Sequence, residues 1–131
     1  MGIDLYDRET GERGFHANFW HWGAIVESVR RLQVLADDRV SLMSEPFHPN
    51  SGLTLEECRL IANAIRTQLL PDLCDDDRVL IDGSTTRQPD DGVFHPPSEG
   101  RDAYGSNYST NREVLEEFAS YCESCRGFEV G

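Results

Sequence analysis

The sequence predicts an α+β fold in which three amphipathic helices pack with a small sheet of two to three short strands, and three observations carry that expectation. The opening Ile3-Asp4-Leu5-Tyr6 alternates apolar and polar residues, as a half-buried strand does. Three later stretches repeat apolar residues at helical spacing, two of them behind a Thr-x-x-Glu capping box. The closing Phe128-Glu129-Val130 can form a last short strand, and the N-terminal strand is its natural partner.

Each element has its own signal. Arg8-Glu9-Thr10-Gly11-Glu12 ends the first strand as a turn. Asn18 can cap a first helix along which Trp22, Ile25, Val26, Val29 and Leu32 form one apolar stripe, with Glu27, Arg30 and Arg31 on other faces. A short apolar piece, Val40 to Met43, runs into Glu45-Pro46-Phe47-His48-Pro49-Asn50-Ser51-Gly52, where two prolines and a glycine forbid regular structure. Thr54 and Glu57 form the capping box of a second helix, whose stripe of Leu60, Ile61, Ala64, Ile65 and Leu69 continues to Pro71. Val79-Leu80-Ile81 reads as a strand stopped by Asp82-Gly83. Residues 84–107 turn to Gly, Pro, Ser, Asp and Thr and predict a long irregular loop. Thr110 and Glu113 suggest the second capping box, opening a helix with Val114, Leu115, Phe118, Tyr121, Cys122 and Cys125 on one side. Gly127 suits a left-handed residue after it.

A chain of 131 residues with 38% hydrophobic and 27% charged residues fits one globular domain spanning 1–131. No apolar run reaches the roughly 18 residues of a membrane span, and the first residues lack the basic flank and apolar stretch of a signal peptide, so a cytoplasmic location is expected. The formal charge of -12, from 24 acidic against 12 basic residues, argues against a nucleic-acid ligand. Such ligands are held by Lys and Arg displacing counterions. The same charge can keep the protein dispersed or steer it towards a basic partner protein.

The four cysteines, Cys58, Cys74, Cys122 and Cys125, are too sparse for a secreted disulfide framework and are expected to be reduced. Cys122-x-x-Cys125 has redox or zinc spacing, yet it ends a helical pattern, whereas reactive dithiols exploit a helix N-terminus. Zinc would need two further ligands from elsewhere, with His16 and His21 the other weak candidates, and no cofactor is predicted. Asp75-Asp76-Asp77 lacks the spacing and glycine of a calcium loop. The richest chemistry lies in Phe15-His16-Ala17-Asn18-Phe19-Trp20-His21-Trp22, which must either anchor the core or line a pocket. The candidate pocket comprises His16, His21, His48 and His95 with Trp20 and Trp22 as its wall, and an acid such as Asp90 or Asp91 could orient a histidine base.

Gly2-Ile3-Asp4-Leu5-Tyr6, Trp20-His21-Trp22, Ser51-Gly52-Leu53 ahead of Glu56-Glu57, and Phe118-Ala119 with the closing Gly127-Phe128-Glu129-Val130 together resemble a group of small bacterial proteins of uncharacterised activity. The resemblance skips residues 72–107 and implies a compact single domain. It implies no mechanism.

Two functional expectations follow. The first is a non-enzymatic protein-binding module, for instance an immunity-type inhibitor of a basic toxin. No phosphate-cradling glycine loop, nucleophile elbow or zinc-protease helix is present. The second is a small metal- or histidine-dependent enzyme built on the histidine and aromatic pocket.

Overall fold

The expected alternation at the N-terminus becomes β1 (Gly2–Asp7), which pairs antiparallel on both sides: with β2 (Arg13–Asn18) and with β6 (Phe128–Val130). The computed structural model describes residues 2–45, 51–87 and 108–131. The proline-rich stretch around His48, and most of the expected 84–107 loop with Asp90, Asp91 and His95, lie outside the described residues. The observed class is α+β, with two three-stranded antiparallel sheets in place of the single small sheet expected.

In the first sheet the strand order is β2-β1-β6. Ile3 and Leu5 point inward from β1, and Phe15 and Ala17 from β2, because Ile3 faces Ala17 and Leu5 faces Phe15 across the ladder. Asn18 ends β2 and caps α1 (Phe19–Leu32), its side chain accepting from the His21 amide. The helix buries Trp22, Ile25, Val26 and Val29 and closes on Gln33 at φ 57°.

A short α2 (Asp37–Ser41) and one 3-10 turn (Leu42–Ser44) carry Val40 and Met43 into the core. Residues 51–53 then run along β6. Leu53 and Phe128 exchange two main-chain hydrogen bonds, of 3.1 and 2.9 Å. Gly52 makes this approach possible: it sits at φ 85°, and a Cβ there would strike the Phe128 carbonyl.

The expected capping box opens α3 (Leu55–Ala64), with Thr54 and Glu57 bonded reciprocally. The helix does not continue regularly to Pro71. It widens into a π turn (Ile65–Leu69) and tightens to a 3-10 turn (Leu70–Asp72).

The second sheet has order β4-β3-β5, from β3 (Arg78–Leu80), β4 (Thr85–Thr86) and β5 (Ser109–Asn111). It corrects one expectation. Thr110 does not cap the last helix, because pairing with Val79 draws it into β5 and buries it completely. The cap of α4 (Arg112–Ser124) moves one residue on, to Asn111, which accepts from the Val114 amide.

The core is one continuous apolar cluster shared by both sheets and the helices. At its centre Phe118 packs edge-on to Trp22, at 5.6 Å between ring centres, and against Phe15 and Phe128. Arginine side chains tie the outer elements to main-chain carbonyls: Arg8 to Phe128 and Ser51, Arg31 to Ile81, Arg59 to Cys122 and Arg112 to Leu70 and Leu73. A planar fork of donors suits this task, and all 12 basic residues of the chain are arginine. Among the described residues no helix is long and apolar enough to cross a membrane.

Candidate functional site

The aromatic stretch at 15–22 straddles the end of β2 and the start of α1, and that junction sorts its side chains. Phe15 and Trp22 go into the core, and the Trp22 indole donates to the Met43 carbonyl at 2.8 Å. Trp22 therefore belongs to the core. Trp20 is half-buried on the first turn of α1, and Phe19 is exposed.

The two described histidines have different partners. His21 places Nδ1 at 3.2 Å from the Thr110 hydroxyl of the second sheet. His16 lies opposite Asp4 in the β1–β2 ladder, and its Nδ1 contacts the Asp4 carboxylate at 2.7 Å. Arg13 approaches the same carboxylate at 3.7 Å. An imidazole held by a carboxylate has a fixed ring orientation. His16 is also open to solvent, its side chain 55% exposed.

His16 lies in a groove of about 410 Å³ lined by Arg13, Gly14, Phe15 and His16 of β2 and by Glu117 of α4. Gly14 sets how closely the two elements approach, since a Cβ there would strike the Tyr121 ring. β2 is the outer strand of its sheet, and among the described residues it pairs only with β1. An outer strand keeps half of its backbone N–H and C=O groups for another strand. The groove therefore combines strand-pairing groups, a carboxylate-held imidazole and one further acid.

Sequence reasoning named His16 and missed Asp4, Arg13, Gly14 and Glu117. The Asp4–His16 contact depends on register across a turn, whereas the period-two pattern of Phe15 and Ala17 could have revealed β2 itself.

The cysteines group across the fold as well as within the Cys122-x-x-Cys125 spacing. Cys122 sits on the last turn of α4 and Cys125 at its C-cap, both buried, and the Cys125 sulfur lies 3.7 Å from that of Cys58 on α3. Cys74 is exposed. Among the described residues no group of three or more His, Cys, Asp or Glu side chains is arranged to hold a metal ion.

Around the site, the Asp7 carboxyl is held below the usual carboxylate range, first by the Arg126 amide and further by the amides of Thr10 and Glu9. This fixes the β1–β2 turn to the chain just before β6. Compared with protein-family models, curated proteins and solved structures, the chain gives no match.

Proposed function

We propose that this chain is a non-enzymatic protein-binding module that takes up an extended segment of a basic partner protein along β2. The observation that carries the reading is the outer edge of β2, which no other strand of the described residues covers, beside the groove against Glu117. Strand addition supplies main-chain hydrogen bonds without demanding a particular sequence, and the groove supplies side-chain selection. The net charge of -12 sets the sign of the partner and favours rapid capture. An immunity-type inhibitor of a basic toxin is one concrete form. The same charge argues against nucleic acid as the ligand.

The test is capture from the native cell extract at low salt, followed by hydrogen exchange on the complex. A basic protein that elutes as salt rises and slows exchange at the amides of residues 13–18 supports the reading. A partner that protects another surface, or no partner at all, overturns it.

The His16–Asp4 contact favours a second reading, a histidine-dependent enzyme in which Asp4 orients the ring and Nε2 acts as base. A panel of activated esters would test it. Turnover lost in His16→Gln and reduced in Asp4→Asn supports it, and turnover equal in all three proteins removes it.

A further inference from the structure

We propose that Cys58 and Cys125 form a reversible intramolecular disulfide that clamps the start of α3 to the end of α4. Their sulfurs lie 3.7 Å apart, both side chains are buried, and Cys122 lies buried beside them. A disulfide bond is about 2.05 Å long, so the two sulfurs need to approach by less than about 2 Å. The two residues stand 67 positions apart in the chain, on different helical elements. The bond therefore runs across the fold and not within the Cys122-x-x-Cys125 pair.

The resting pair is protected. The Cys58 thiol is pushed up by its hydrogen bond with Cys122 and by burial, and the Cys125 thiol by its hydrogen bond with Cys58 and by burial. Protonated, buried thiols react slowly, so oxidation must start from an opened state. Cys125 offers that route: it stands at the C-cap of α4 between the exposed Ser124 and Arg126, where helix ends fray.

The oxidant is a low-molecular-weight disulfide such as oxidised glutathione. The Cys125 thiolate attacks one of its sulfurs, breaking the small disulfide and releasing one small thiol. The Cys58 thiolate then attacks the Cys125 sulfur of the mixed disulfide and releases the second. The protein loses two protons and two electrons, and the oxidant is reduced to two thiols. A reducing thiol reverses both steps.

The experiment treats the native, full-length Cys74→Ser protein with oxidised glutathione, which removes the exposed thiol as a competing site. The expected product is about 2 Da lighter, carries no retained glutathione, and regains its mass under dithiothreitol. Fragmentation of the linked peptides should place the bond at Cys58 and Cys125. The oxidised protein should melt higher, by roughly 5 to 15 °C, because the bond closes a long loop in the unfolded chain. Three results would each overturn the proposal: an unchanged mass, a stable glutathione adduct, or a bond between Cys122 and Cys125. An oxidised form that melts no higher than the reduced one would overturn the clamp.

Discussion

Replacing Glu57 with glutamine should remove about 2 kcal/mol of stability at pH 7 and leave almost no difference from the parent near pH 2. Glu57 does two jobs at once. One of its oxygens accepts from the Thr54 amide at the head of α3, and the pair of oxygens accepts a fork of donors from Arg39 of α2 at 2.7 and 2.8 Å. These contacts, the Arg39 hydrogen bonds foremost, hold its carboxyl down at about 2, from an ordinary value of 4.5. At about 1.4 kcal/mol per pH unit, that drop sets a ceiling of about 3.4 kcal/mol. Glu57 is 15% exposed but Arg39 is 33% exposed, and solvent screening brings the expected value to about 2 kcal/mol.

A carboxylate whose value is lowered by folding stabilises above its unfolded value and loses that contribution as pH falls. The loss should therefore run between about 4.5 and about 2. Urea unfolding of both proteins at pH 7, 4 and 2.5 measures it, and the difference between them cancels the titration of the other acids. A variant within about 0.5 kcal/mol of the parent at pH 7, or a difference that does not shrink on acidification, would refute the argument.

Four further outcomes are expected. Trp22→Ala should lose about 3 to 5 kcal/mol by chemical denaturation, because it empties a buried indole site and strands the Met43 carbonyl. Tyr121→Phe should unfold at the same urea concentration as the parent or slightly above it: the Tyr121 hydroxyl is buried without a hydrogen-bond partner among the described residues, so its removal costs nothing. Gln33→Gly should raise stability by about 0.5 to 1 kcal/mol in thermal melts, since Gln33 ends α1 in the left-handed region at φ 57°. Raising potassium chloride from 0.05 to 1 M should raise the melting temperature by several degrees, because salt screens the self-repulsion of a chain with net charge -12.

Much of the fold was legible because it rests on local signals. The Thr54–Glu57 box, the Asn18 cap, the stripe from Trp22 to Val29 and the terminal strands are all written within a few residues. What stayed hidden depends on distant pairing. β2 alternates through Phe15 and Ala17, but the neighbouring aromatic rings and histidines suggested a site instead of a strand. In the second sheet the apolar run Val79-Leu80-Ile81 announced β3, whereas β4 and β5 are pieces of two and three residues, too short to show a period. Thr110 and Asn111 both suit a cap, and only the ladder with β3 decides between them. Of the candidate site, His16 was visible as a residue type. Its carboxylate partner comes from 12 residues away across a turn whose register a single sequence does not state. The meeting of Cys58 with Cys125 is hidden for the same reason.

The two borders of the first sheet are unlike. Beyond β6 the sheet is closed: Leu53 takes both main-chain bonds of Phe128, the Ser51 hydroxyl accepts from the Val130 amide, and Arg8 reaches the Phe128 carbonyl. Among the described residues only β2 is left to grow from, so strand addition to this sheet would be a reaction of valence one. A guest segment seated there ends the array, and two copies meeting β2 to β2 would use up both borders and stop as a pair. A sheet open on both sides could instead propagate into a filament, and the short run from Ser51 to Leu53 denies this one that outcome.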